Sequence, residues 1–304
     1  YAMQNLMGVD GLYHDSDGAV DYVGNWVMLH ALSDIAGLTG DAEGRYMNPD
    51  AHPMFDGAAT QLFQALEDRQ PETAREAAAA IRALQYRAST TSDDSIRTAT
   101  LAKATAIADT TLVRIVPNDV VEGAAAITGL MSVAVAEDSD TYLHAAVTQF
   151  QALTADFDAT NGVFTSKSVY SADDVAWIIG GLNFLAQRAG GETRQPASNM
   201  LLAFYESTIS LAGMQLSAPP GKSGAMASEW EMDLPSALFY HPANTPPPPM
   251  AGTLPVPAEE ITWDGNSWSV TSDRLVTDGA MHLANDLNWL GPHLGSSPFQ
   301  VVGG

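Results

Sequence analysis

Cysteine is absent from all 304 residues, so no disulfide, thiolate metal site, iron–sulfur cluster or covalently attached c-type haem is built on this chain. Positive charge is almost as scarce. Against 36 acidic residues stand 13 basic ones, only three of them lysine (Lys103, Lys167 and Lys222), and the net charge is −23. Displacing counterions from duplex DNA or RNA takes clustered Lys and Arg. The sequence has no such cluster, which argues against a nucleic-acid partner and, for the same reason, against an anionic membrane surface. Long apolar runs are missing too. No window approaches the roughly 18–20 uninterrupted apolar residues of a membrane span, so no transmembrane segment is expected. An Asn-x-Ser/Thr acceptor with a permitted middle residue is likewise absent.

What the chain has is a hydrophobic fraction of 46%, enough to bury a sizeable core. Of its acids, 24 are Asp. So acidic a coat repels itself in dilute buffer and becomes tolerable in brine, where the Debye length falls to about 3 Å at about 1 M salt. Short Asp, scarce Lys and abundant Ala and Thr together resemble the composition of proteins from halophilic archaea. The alternative is an ordinary acidic secreted protein. The first residue is Tyr1 rather than Met. Either a leader or anchor has been removed or the fragment is trimmed, and the expectation is export to the cell surface or beyond.

Apolar residues recur at helical spacing through most of the first 216 positions. Asp21–Leu38 predicts a long helix, followed by a Gly/Pro-punctuated loop to Pro53. Helices are expected over Phe55–Asp68 and Glu72–Ala88, with Pro71 in the first turn of the second. Thr91-Ser92-Asp93-Asp94 caps another to about Ile115. Val120–Ala136 and Ser139–Asp156 follow, and Val175–Ala189 begins behind Ser171-Ala-Asp-Asp174. Ala197 to about Leu216 is the next. Short breaks between helices of this length predict antiparallel neighbours. Residues 217–258 hold most of the prolines, including Pro246–Pro249. They read as an extended strap, tied down by Trp230, Phe239 and Tyr240. Ile261-Thr-Trp263 and Ser267-Trp268-Ser-Val270 around Asp264-Gly265 predict a β-hairpin, its tryptophans against helices. A closing helix over Asp278–Leu290 is expected to return to the first.

Two His-x₃-Asp pairs stand out, His30/Asp34 and His282/Asp286, each on one helix face one turn apart. If the two helices meet, an N₂O₂ set results that suits zinc, iron or manganese. Alternatively the carboxylates orient their histidines for acid/base work, or each pair merely stabilises its own helix. Alternate carboxylates in His14-Asp15-Ser16-Asp17-Gly18 offer calcium ligands, but the loop signature fails at its first and twelfth positions, Tyr13 and Gly24. The twelve methionines and seven histidines raise soft-metal handling as a further option, against core filling. Phosphate loops, dinucleotide fingerprints and nucleophile elbows are missing from the sequence.

The segment Tyr170-Ser-Ala-Asp-Asp-Val-Ala-Trp177, followed by Gly180-Gly181-Leu182-Asn183, resembles helix starts in the six-hairpin (α/α) toroid proteins, which include secreted glycosidases and polysaccharide lyases. The resemblance implies Asp173 or Asp174 as acid or base and Trp177 as a sugar platform. Capping of the helix by the same aspartates is the other reading.

The expected fold is mainly α: antiparallel helical hairpins, toroid-like or bundled, with a Pro-rich strap and one C-terminal β-hairpin. Three regions are anticipated: a helical domain at 1–216, the strap at 217–260, and the β-hairpin with closing helix at 261–304. The expected role is an exported, non-catalytic structural, assembly or ligand-carrying protein of a salt-adapted microbe. A protein partner or second copy would bind through the strap, with Trp230 as a contact. A carbohydrate-active toroid enzyme and a metal-binding accessory to a surface redox or uptake system are the alternatives.

Overall fold

The computed structural model describes residues 7–14, 17–40, 48, 50–113, 119–212, 214, 259–272, 279, 281–283 and 286. The strap at 217–258, with Trp230, lies outside them. Of the described part, 70% is helical and 9% strand, which makes the chain mainly α with a small strand set. It divides into two compact units, residues 1–117 with 128–146 and residues 118–127 with 147–304.

In the first unit, α1 (Tyr22–Gly40) buries Trp26, Leu29, Leu32, Ser33 and Ala36, the i, i+3, i+4 stripe of a core-facing helix. It packs on α2 (His52–Leu66) and α3 (Ala74–Thr90). Pro53 occupies the first turn of α2, where its missing N–H is no loss. Thr73 caps α3 by accepting from the Glu76 N–H at 3.1 Å. The small side chains Ala77, Ala78 and Ala80 are wholly buried and let neighbouring backbones approach. α4 (Asp94–Ile107) starts on the Asp93 carboxylate, as its cap sequence predicts, and runs on through a π turn at Ala108–Leu112.

Cations join these helices. The Arg87 guanidinium, with no side-chain exposure, donates to Asp56 Oδ1 and Thr60 Oγ1, both at 2.6 Å, bonding α3 to α2. Arg69 forks onto Glu76 at 2.7 and 2.8 Å and lies 3.8 Å above the Tyr22 ring. Lys103 donates to the carbonyls of Glu67 and Arg69, just past the end of α2.

Two helices span the division between units by residue number: α5 (Val120–Glu137) and α6 (Asp140–Asp156). Among the described helices, α5 is the one long and apolar enough to cross a bilayer by composition. Glu122 interrupts its apolar run, and 78% of it is buried inside the fold.

The second unit adds strands. The turn at Asp158–Phe164 is a tight hairpin, β1 (Phe157–Asp158) against β2 (Val163–Phe164). Gly162 takes φ +67° there, a left-handed conformation that costs a glycine little. The predicted C-terminal hairpin forms as β4 (Glu260–Trp263) and β5 (Trp268–Ser272), antiparallel with Trp263 opposite Trp268. β3 (Val169–Ser171) joins β4 on its other edge, giving the order β3-β4-β5. Trp268 donates its indole N–H to Ser207 Oγ at 3.1 Å and meets Tyr170 edge-on at 5.8 Å. The wholly buried Tyr170 hydroxyl accepts from the Phe164 N–H and donates to the Lys167 carbonyl.

β3 leads directly into α7 (Ala172–Arg188), which packs on α8 (Gly191–Tyr205). α8 begins six residues before the Ala197 start read from sequence and carries Pro196 within it. Gly181 of α7 sits against the backbone of Ala124, whose carbonyl oxygen lies 2.4 Å from where a Cβ would stand. In α2, by contrast, nothing lies within 4 Å of the corresponding point on Gly57. Gly57→Ala should therefore stabilise the protein by about 0.5–1 kcal/mol through helix propensity. Gly181→Ala should destabilise it by about 1–3 kcal/mol despite the same propensity gain, because backbone must move. Urea unfolding midpoints of the two variants, measured in the same salt, check the opposite signs.

Candidate functional site

The densest gathering of chemistry-bearing side chains begins at the start of α7. Ser171 takes extended backbone angles and forms a full capping box: its Oγ accepts from the Asp174 N–H and its own N–H donates to Asp174 Oδ2, both at 3.1 Å. The Asp174 carboxylate also meets Lys167 Nζ at 3.2 Å. Asp174 is thus committed to holding the helix start. Its neighbour Asp173 points elsewhere, to His282, with Oδ1 2.7 Å from ring Nδ1.

His282 is held from both sides. Its Nε2 lies 3.4 Å from Asp286 Oδ2, one helical turn on. Trp177 meets the ring edge-on, centroids 4.9 Å apart and planes at 80°. The approach depends on missing side chains: a Cβ on Gly180 would stand 2.5 Å from Asp286 Oδ2, and one on Gly279 would stand 3.3 Å from the Asp173 nitrogen. Burial by itself would lower the His282 pKa. The hydrogen bonds its ring donates to Asp173 and Asp286, with the charges of those carboxylates, outweigh it and hold the group up at about 9. At neutral pH the ring is an imidazolium between two carboxylates.

Asp173 and Trp177, implied by the toroid resemblance, and His282 and Asp286, read as metal ligands, therefore meet in one cluster. Asp173 and His282 are 109 residues apart, and no local spacing signals their contact. The Ser171–Asp174 capping box, in contrast, was legible as Ser-x-x-Asp ahead of an apolar run.

The other His-x₃-Asp pair belongs to the first unit. His30 stacks on Tyr86 with centroids 4.1 Å apart and planes tilted by 39°. Burial pushes its pKa down to about 4, the charge of Arg82 works the same way, and Asp34 opposes both. His30 is neutral and His282 charged, so the two pairs are electrostatic opposites. Among the described residues no group of three or more His, Asp or Glu is arranged to hold a metal ion. At His282 the two carboxylates approach different ring nitrogens. In the Asp-rich N-terminal turn, His14 is the hub, its ring nitrogens 3.1 Å from Gly18 O and from the Asp10 carboxylate.

Compared with protein-family models, with curated proteins and with solved structures, the chain matches none. The functional reading therefore rests on the residues themselves.

The depressed pKa of His30 has a signed consequence. Below about pH 6.5 the unfolded chain binds a proton at His30 that the folded chain does not, so this residue's contribution to stability declines as pH falls toward about 4. In His30→Phe, which keeps a ring against Tyr86, that component disappears. Urea unfolding of both proteins at fixed salt should show the wild type losing on the order of 1–2 kcal/mol relative to the variant between about pH 7 and about pH 4.5.

Proposed function

We propose that this chain is an exported, non-catalytic structural or assembly component of a salt-adapted microbe, its helices arranged as successive hairpins. The observation that carries the reading is how charge is used. Arg69, Arg87, Arg97, Lys103, Lys167 and Arg194 all bond to acceptors within their own unit, while the net charge stays at −23. The cations serve as joints, and the acid surplus is left for solvent, an arrangement suited to concentrated salt. The assembly part is supported by α1, which exposes Val27, Ile35 and Leu38 on one face at 56%, 37% and 46%. An apolar stripe on so acidic a chain, with Asp34 as its one charge, suits a protein neighbour.

A second reading, a carbohydrate-active (α/α) toroid enzyme, is favoured by one feature: Asp173 has a second carboxylate, Asp286, across His282, and glycosidases work with a pair of carboxylates. Two facts weigh against it. Trp177 is only 5% exposed, so a sugar face could not stack on it as it stands, and both carboxylates are engaged by the same ring.

Thermal and urea unfolding of the full chain across a salt series test the first reading. Stability should rise by on the order of a few kcal/mol from about 0.1 M to about 3 M potassium chloride, equivalent to several degrees or more in Tm. Sedimentation in the concentrated salt should show association that Val27→Glu weakens. Maximal stability in dilute buffer, or a monomer at every salt concentration, would overturn it. Polysaccharide cleavage that Asp173→Asn abolishes would establish the enzyme instead.

A further inference from the structure

We propose that the edge shared by α1 and α3 is a self-association face for a second copy of this chain. The copy lays its α1 antiparallel on the first about a two-fold axis, Val27 against the partner's Ile35 and Arg82 against the partner's Asp34. This copy is the neighbour required by the assembly reading, on which the inference rests. Acids make up 36 of 304 residues, so two copies meeting on most faces would set carboxylate against carboxylate. α1 and α3 together carry only two, Asp34 and Glu76. Glu76 is buried and taken by Arg69, which leaves Asp34 as the one acid these helices present. Beside it Val27, Ala31, Ile35 and Leu38 are exposed at helical spacing, and Tyr86 of α3 is 41% exposed.

The charges on this edge are placed to be met by their own image. α1 and α3 run parallel: Arg69, ahead of α3, lies over Tyr22, His30 stacks on Tyr86, and a Cβ on Gly37 would meet Thr90 at 2.8 Å. Arg82 stands one turn before Tyr86 and Asp34 one turn after His30. The cation and the acid therefore lie on opposite sides of the ring pair along the helices. Among the described residues neither takes part in a hydrogen bond or ion pair, and both are partly buried. A partly buried guanidinium gains most from a carboxylate, and none of the described acids supplies one.

A two-fold axis perpendicular to the helices at Ala31 exchanges the two ends of the edge. It brings Val27 level with the partner's Ile35 and turns Arg82 to the partner's Asp34, and the same contacts recur at the other end. Ala31 at the axis has only a methyl group, so the two helices can approach closely. The His30 ring beside it is neutral. Each copy thus brings one Arg82 and one Asp34, and the contact has no net charge. Repulsion between two chains of −23 is screened in molar salt, where the Debye length is about 3 Å, while an ion pair in contact persists.

Sedimentation equilibrium of the full chain in about 1 M potassium chloride tests it, with Arg82→Glu, Asp34→Arg and a mixture of the two. The wild type should be a dimer. Each variant alone should dimerise at least roughly tenfold more weakly, because like charges face each other at both ends. The equimolar mixture should recover the wild-type constant within about threefold, since each hybrid sets unlike charges together at both ends. Ala31→Cys, in a chain with no other cysteine, should cross-link to a covalent dimer under a mild oxidant. Leu101→Cys, exposed on α4, should not. A wild type that stays monomeric at every salt concentration would remove the assembly reading as well. Association that neither charge reversal weakens, that the mixture fails to restore, or that gives no cross-link at Ala31→Cys would overturn the two-fold face and leave assembly through another surface standing.

Discussion

The scarcity of positive charge governs where every strong polar contact in this protein can stand. With 13 bases for 36 acids, most carboxylates have no cation to meet. Among the described residues, several of those that do stand where elements join. Arg87 is wholly buried, a position that demands partners, because an unpaired guanidinium out of water is expensive. Asp56 and Thr60 supply them across to α2. Arg69 ties the chain after α2 to α3, Lys103 ties it to α4, and Lys167 secures the entry to α7. Interior electrostatics thus fix the register between neighbouring elements, while the unpaired acids make solvent ions part of the folding balance.

A second constraint is close approach. Without cysteines to cross-link it, the body depends on packing, and its helices achieve contact by removing side chains. Gly129 stands where a Cβ would meet Leu112 and the Ala78 backbone, and Gly181 where one would meet the Ala124 carbonyl. The buried alanines of α3 do the same. The aromatic cluster of Phe164, Tyr170, Phe204 and Trp268 fills the space where strands meet helices in the second unit. The same device brings His282 to Asp173, because Gly180 and Gly279 leave room for the neighbouring chain.

Local signals were legible wherever the controlling interaction is local. The Asp93 cap of α4, the Ser171–Asp174 box and the Asp-Gly hairpin all depend on residues within a few positions of one another. Where sequence reasoning fell short, a competing interaction explains it. β1 and β2 have two residues each, too few to show a period of two. β3 looked like a helix lead-in because its partner β4 lies some ninety positions on. The helix expected from Ala197 begins instead at Gly191 and carries Pro196 within it.

The sequence by itself determined the helical class, the positions of most helix starts, the acid surplus and the C-terminal hairpin, since periodicity, capping and net charge are properties of nearby residues or of simple sums. Only the tertiary structure decided which titratable groups act together. Two His-x₃-Asp pairs with the same spacing became opposites. His30 is neutral because burial and Arg82 disfavour its proton, and His282 is charged because a carboxylate 109 residues away turns to face it. A pKa is set by whatever lies within a few ångströms, and chain separation carries no information about that.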